Sequence, residues 1–66
     1  MTEEPKRLKQ PADPDRVQRI VDAIDAGTTR SAAGAAEGIS AVAAGENFRR
    51  WATWARARRQ ERARAP

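Results

Sequence analysis

The stretch that decides the fold is GTTRSAAGAAEGIS, residues 27–40. It begins with a glycine and two threonines, continues through an alanine-rich run, and ends in a glycine, an isoleucine and a serine. Threonine and serine are good helix N-caps, and glycine most easily adopts the left-handed conformation that ends a helix. The stretch therefore predicts a short helix over residues 30–37, a turn that starts at Gly38, and a further helix capped by Ser40.

The short helix is weak by itself, because Gly34 in its interior costs about 1 kcal/mol relative to alanine. Its other side chains are mostly alanine, which buries little surface. Such a helix is stable only when another part of the chain packs against it, and its small side chains allow a close approach. Either Thr28 or Thr29 is suitable as its N-cap.

A longer helix is predicted before this stretch, over residues 14–26. Asp13 is a suitable N-cap, and Pro14 is favoured at the first helical position. Gly27 ends the helix. Four apolar residues recur with helical spacing and form one stripe: Val17, Ile20, Val21 and Ile24. Five polar residues are expected to cover the remaining, solvent-facing surface: Arg16, Gln18, Arg19, Asp22 and Asp25.

The third helix is predicted to run continuously from about residue 41 to residue 60 or beyond. At 100° per residue, seven apolar or small residues fall in one sector about 120° wide, as in a core-facing helix. These residues are Ala41, Ala44, Gly45, Phe48, Trp51, Ala52 and Ala55. The alternative is a break at Gly45-Glu46-Asn47, with Asn47 capping a separate last helix, because glycine and asparagine are weak helix formers.

Together these elements predict an all-α fold: a small three-helix domain with a helix-turn-helix and a long basic C-terminal helix. Residues 1–12 are expected to form a disordered arm, residues 13–60 the domain, and residues 61–66 a basic tail. The alternative is an ordinary three-helix bundle in which the glycine turn has no special role.

The net charge of +4 is unevenly distributed. Residues 1–48 carry six basic and eight acidic side chains, whereas residues 49–66 carry seven arginines and one glutamate. A basic block at one end suggests a polyanionic partner such as nucleic acid. The alternative is that alanine and arginine are simply abundant in proteins encoded by GC-rich genomes.

Composition also excludes several classes of function. The chain has no cysteine or histidine, so the usual transition-metal ligand sets are absent. No nucleophile has a candidate base beside it and no phosphate-binding glycine loop is present, so we expect no enzyme activity, cofactor or small-molecule substrate. The longest uncharged stretches, six and eight residues, are too short to span a membrane. Without a secretory signal, a cytoplasmic location is expected.

The sequence resembles the helix-turn-helix domains of phage small terminase subunits and of related phage and transposase DNA-binding proteins. The resemblance covers about residues 17–54 and rests on the 27–40 stretch together with Phe48-Arg49-Arg50-Trp51. It departs at Glu37, where the family has a small apolar residue, and in a Ser40-to-Phe48 spacing about four residues longer. The extra residues amount to about one helical turn, so Phe48 and Trp51 still face the core.

The resemblance implies a phage-type DNA-binding protein, acting in genome packaging or as a small regulator, in a bacterial or phage-infected cell. Its partners would be double-stranded DNA and further copies of the chain, because a single small helix-turn-helix usually gains specificity by oligomerising. Two alternatives stay open. The Ala/Arg helix docks on an acidic protein or on itself, or the same helix binds RNA.

In the DNA-binding interpretation, the third helix lies in the major groove, where arginine reads guanine and asparagine reads adenine. Arg50 and Asn47 are the base-reading candidates, and Glu46 is suited to accept from cytosine or to pair with Arg50. Thr29 and Arg30, at the start of the second helix, meet the DNA backbone, and Ala43 and Thr53 lie on the outward face of the third helix. The C-terminal arginines add sequence-independent affinity. The candidate DNA-binding residues are Thr29, Arg30, Ser40, Ala43, Asn47, Arg49, Arg50, Thr53, Arg56, Arg58 and Arg59.

The two tryptophans are expected to differ. Trp51 lies within the apolar sector of the third helix and is predicted to be in the core. Trp54 lies at the edge of that sector, so it is expected to pack on the first helix, with stacking on a base or a dimer contact as alternatives.

Overall fold

The computed structural model describes residues 10–64, which form three helices. They are α1 (Pro14–Asp25), α2 (Arg30–Glu37) and α3 (Ala41–Arg64), and no strand occurs in this range. Every pair of helices is in contact. The prediction of a small all-α, three-helix domain is confirmed.

The predicted arm and the predicted basic tail lie at the two ends of the chain. Most of the predicted arm, residues 1–9, lies outside the described residues, but Pro11 is buried. At the other end α3 continues through Arg64, past the boundary predicted at residue 60, so the first four residues assigned to the basic tail are helical. None of the three helices combines the length and apolarity needed to cross a bilayer.

Helix α1 begins and ends as its caps predict. The Asp13 carboxylate accepts a hydrogen bond from the Arg16 amide at 3.2 Å, and Pro14 occupies the first position. After the helix ends, Gly27 has φ of +110°. Val17, Ile20 and Val21 are buried. The apolar stripe therefore faces the core as predicted.

Gln18 was predicted to face solvent, and this is wrong. Only 5% of it is exposed. Its Nε2 donates to the main-chain oxygen of Ala55 at 2.9 Å and to the Asp22 carboxylate at 3.0 Å. Helix α3 packs over this side of α1 and offers a carbonyl acceptor to the amide nitrogen, whereas Oε1 of Gln18 is buried with no hydrogen-bond partner among the described residues.

The turn between α2 and α3 has the predicted construction. Thr29, and not Thr28, caps α2 by accepting from the Ala32 amide at 3.0 Å, and Ser40 accepts from the Ala43 amide at 3.0 Å. Gly38 is left-handed, with φ of +74°, and the next amide donates back to Gly34 at 2.9 Å. Two capped helices therefore meet at a three-residue turn.

Gly34 is explained by how closely this turn approaches α2. A Cβ built on Gly34 would lie 2.8 Å from the main-chain oxygens of both Ile39 and Ser40. Those atoms belong to the backbone and have no rotamer to move away. The glycine that weakens α2 as an isolated helix is therefore what allows the turn to fold onto it.

Helix α3 runs without interruption through Gly45, so the predicted alternative of a break there is wrong. Ala44, Ala52 and Ala55 are buried, and Phe48 and Trp51 are half-buried. The prediction that Ala41 faces the core is also wrong, because it is exposed. It lies in the first turn of α3, and the buried contacts of this helix begin only at Ala44.

The core consists of two clusters on opposite sides of the α1 stripe. Val17 and Val21 pack against alanines of α3, with Phe48, Trp51 and Trp54 around them. Ile20 packs against Ala33 of α2 and Ala44 of α3, with Ile39 of the turn closing the corner. Helix α1 thus supports α2, the turn and α3 together, and leaves the opposite side of α2 and α3 exposed.

Candidate nucleic-acid interface

Two of the C-terminal arginines are bound to the end of α1. Arg56 forms a two-bond contact with the Asp25 carboxylate, at 3.0 and 2.7 Å. Arg59 bonds to Asp22 and, at 3.0 Å, also to Asp25. The Arg56 guanidinium also lies over the Phe48 ring, 5.5 Å from its centroid. These side chains, which we call the α1–α3 clamp, join one helix to the other.

Arg58 makes a comparable contact at the start of α1. It donates to the main-chain oxygen of Pro14 at 3.1 Å and to the Asp15 carboxylate at 3.0 Å. Its guanidinium lies 5.2 Å from the centroid of the Trp54 ring. Three of the arginines predicted to contact phosphate, Arg56, Arg58 and Arg59, therefore already have carboxylate partners within the fold.

Glu37, the position at which the sequence departs from the terminase-like pattern, has a structural partner. Arg19 of α1 donates two hydrogen bonds to its carboxylate, at 2.8 and 2.9 Å, and Arg16 lies 3.6 Å away. The contact joins the C-terminal end of α2 to α1. A glutamate fits here because α1 supplies two arginines opposite it.

These ion pairs change the ionisation of the acidic residues. Hydrogen bonds from Arg56 and then Arg59 hold the pKa of Asp25 well below its usual range. The hydrogen bond from Arg19 lowers the pKa of Glu37 in the same way. Folding therefore favours the ionised form of both carboxylates, relative to the unfolded chain.

We expect the chain to lose stability in acid. Because the folded pKa values are depressed, the stabilisation is fully present above the unfolded values, near pH 4, and is lost as the pH falls below them. The melting temperature followed by circular dichroism from pH 7 to pH 2 tests this. Asp25→Asn should melt lower at pH 7 and lose less on acidification. Equal acid sensitivity of the variant and the wild type would contradict a role for Asp25.

The first residue of α2 meets the first half of α3 at an open groove. This groove, of about 510 Å³, is lined by Arg30 of α2 and by Val42, Glu46 and Arg49 of α3. Gly45 makes room for this arrangement, because a Cβ there would lie 3.0 Å from Cδ of Arg30. Two of the predicted DNA-binding arginines, Arg30 and Arg49, are thus brought together.

The arginines that line or flank this groove form fewer ion pairs than those of the clamp. Arg49 lies 3.4 Å from the Glu46 carboxylate, and its side chain is 77% exposed. Within residues 10–64, neither Arg30 nor Arg50 forms an ion pair. We name Arg30, Val42, Glu46, Arg49 and Arg50 the α2/α3 face. Its three arginines and one glutamate give it a net charge of +2.

The remaining predicted site residues have varied surroundings. Thr29 and Ser40 use their side-chain oxygens as cap acceptors, which leaves each hydroxyl proton available to donate. Thr53 is exposed, whereas Ala43 and Asn47 are half-buried. Asn47 lines a second groove, of about 300 Å³, with Arg50, Pro11, Arg16 and Trp51 among its other lining residues.

Sequence reasoning omitted Val42 from the candidate site and paired Glu46 with Arg50 or with cytosine. In the structure Glu46 contacts Arg49, three residues along the helix. Val42 is 75% exposed on the α2/α3 face. A signal for Val42 was available, because it lies about 120° from Phe48 on the helical wheel and so outside the core sector.

Both tryptophans are half-buried at the α1 side of α3. Their ring centroids are 6.0 Å apart with an interplanar angle of 74°, an edge-to-face contact. Trp54 packs at the edge of the core, with Arg58 over its ring. Trp51 was predicted to be in the core and packs against the same cluster, although part of its surface remains accessible.

No family model, curated protein or solved structure is significantly similar to the chain.

Proposed function

We propose that the protein binds double-stranded DNA through the α2/α3 face, with α3 in the major groove. The observation that carries the proposal is the convergence of Arg30 and Arg49, from two helices, on one open groove. Arg50 is exposed on the next turn of α3 after Glu46 and lines the second groove. Within residues 10–64, Arg30 and Arg50 form no ion pair and Arg49 forms only a solvent-exposed one with Glu46, so their guanidinium groups are accessible to phosphates and guanine edges.

The shape of this face supports the same proposal. From Val42 to Thr53 the exposed side of α3 extends about 17 Å at 1.5 Å per residue. The major groove is about 12 Å wide and admits an α-helix. Thr29 and Ser40, at the starts of α2 and α3, present hydroxyl protons that are free to donate to phosphate oxygens.

The C-terminal arginines take a different part in this proposal from the one their sequence suggests. Arg56, Arg58 and Arg59 hold α1 against α3, and Arg62 and Arg64 remain exposed at the helix end. An acidic protein partner would therefore find few available charges on this end of α3. This favours DNA on the α2/α3 face over the alternative of an acidic partner docked on the Ala/Arg helix.

Within this proposal the chain is a phage-type DNA-binding module, acting in genome packaging or as a small regulator in the cytoplasm, as its sequence resemblance implies. The major groove of duplex RNA is too deep and narrow for side chains to read. We therefore propose duplex DNA, and not RNA, as the partner.

Chemical-shift mapping of the amide resonances, with a DNA duplex of about 20 base pairs or two helical turns, tests the proposed surface. We expect the changes to concentrate at the start of α2 and in the first half of α3, over residues 29–31 and 41–50. A matched RNA duplex is the control and should produce smaller changes. Changes concentrated in α1 and residues 56–64 would contradict the proposed surface.

A further inference from the structure

Val42 is the large hydrophobic side chain that the described part of the chain leaves most accessible, at 75% exposure. It lies in the first full turn of α3, four residues before Glu46 and seven before Arg49, so the three share one helix face. The same three side chains line the groove beside Arg30. An apolar side chain is therefore surrounded by the charged groups of the α2/α3 face.

The charges around Val42 determine what kind of partner can cover it. A purely apolar partner would bury Arg30 without a counter-charge and would desolvate the exposed Arg49–Glu46 pair, and both are unfavourable. A DNA major groove offers phosphates to the arginines and, on its floor, one apolar group at the base edges, the C5-methyl of thymine. It is the occupant that complements both the charge and the apolar side chain.

We propose that Val42 contacts the methyl group of a thymine in the major groove, so that the protein discriminates thymine from uracil at one position of its site. The inference rests on the proposed function and adds a specificity-determining residue to it. A turn of α-helix advances about 5.4 Å and a base pair of B-DNA about 3.4 Å, so a helix lying along the groove passes one to two base pairs in each turn. Glu46 and Arg49 lie about 6 and 10 Å further along α3, which places them about two and three base pairs from the thymine.

The expected effect is modest but measurable. Burial of one methyl-sized apolar group corresponds to about a fourfold change in affinity. The probe is a duplex selected by the wild-type protein from a random-sequence pool, compared with duplexes in which single thymines are replaced by deoxyuridine. We expect one replacement to weaken wild-type binding about fourfold, and others to have little effect.

Val42→Ala supplies the matched variant. Because Val42 is mostly exposed and alanine is the better helix former, the variant should melt at or slightly above the wild-type temperature, and it should bind the thymine and deoxyuridine duplexes equally. Equal binding of both duplexes by the wild type, or persistence of the preference in Val42→Ala, would overturn the inference while leaving duplex binding intact.

Self-association through Val42 is distinguished by sedimentation equilibrium without DNA. If Val42→Ala changes the oligomeric state and leaves the thymine preference unaltered, Val42 contacts a second copy and the inference fails. If the wild type selects no duplex from the pool at low salt, the proposed function itself fails.

Discussion

Gly34→Ala is expected to remove a large part of the free energy that stabilises the fold. The added methyl would lie 2.8 Å from two main-chain oxygens, those of Ile39 and Ser40. To relieve the contact, the turn must move away from α2, and the packing of Ile39 against Ile20 and Ala33 is lost with it. Overpacking against a backbone that cannot change rotamer costs about 3 kcal/mol or more, a large part of the stability of so small a domain.

Gly45→Ala is the matched control, because it makes the same replacement inside a helix. There the added methyl meets only the Arg30 side chain, at 3.0 Å from Cδ, which can rotate away. The gain in helix propensity, about 1 kcal/mol, should then raise the melting temperature. Thermal and urea melts followed by circular dichroism compare the two variants. A Gly34→Ala variant as stable as the wild type would show that the turn does not need this close approach.

The second large effect is expected on DNA affinity. Replacing Arg30, Arg49 and Arg50 together with alanine should weaken duplex binding by roughly 100-fold, at about 1 kcal/mol for each cation. None of the three belongs to the α1–α3 clamp, so the fold should be retained. Gel-shift titrations with one duplex at fixed salt measure the loss, and circular dichroism verifies the fold.

A charge-matched pair separates position from net charge. Arg30→Ala/Arg49→Ala and Arg62→Ala/Arg64→Ala each remove two positive charges, the first from the α2/α3 face and the second from the exposed end of α3. The first variant should lose at least ten times more affinity than the second, at about 1 kcal/mol for each removed contact. Equal losses would show that DNA responds only to total charge.

The helices and their caps were predictable because their signals are local. Asp13, Thr29, Gly38 and Ser40 each act on the main chain within a few residues, and their roles in the structure are those their residue types favour. The continuity of α3 through Gly45 was also predictable, because the apolar phase is the same on both sides of it.

The surroundings of individual polar side chains were not predictable, since they depend on where α3 lies against α1. Gln18 has a polar side chain on an amphipathic helix, and only the nearby carbonyl of Ala55 explains its burial. Arg56 and Arg59 belong to an arginine-rich run typical of nucleic-acid binding, but Asp22 and Asp25, more than thirty residues earlier, bind them. Charge counted along the sequence therefore overstated the charge available to a partner.

A salt titration of duplex DNA binding tests the central claim most directly. The wild-type protein is titrated onto a mixed-sequence duplex by fluorescence anisotropy at several salt concentrations. We predict measurable binding at low salt, with the logarithm of the affinity falling against the logarithm of the salt concentration at a slope of about −3, as three phosphate contacts require. In the Arg30/Arg49/Arg50 alanine variant the slope should approach zero. Failure of the wild type to bind duplex DNA at about 50 mM salt would contradict the claim.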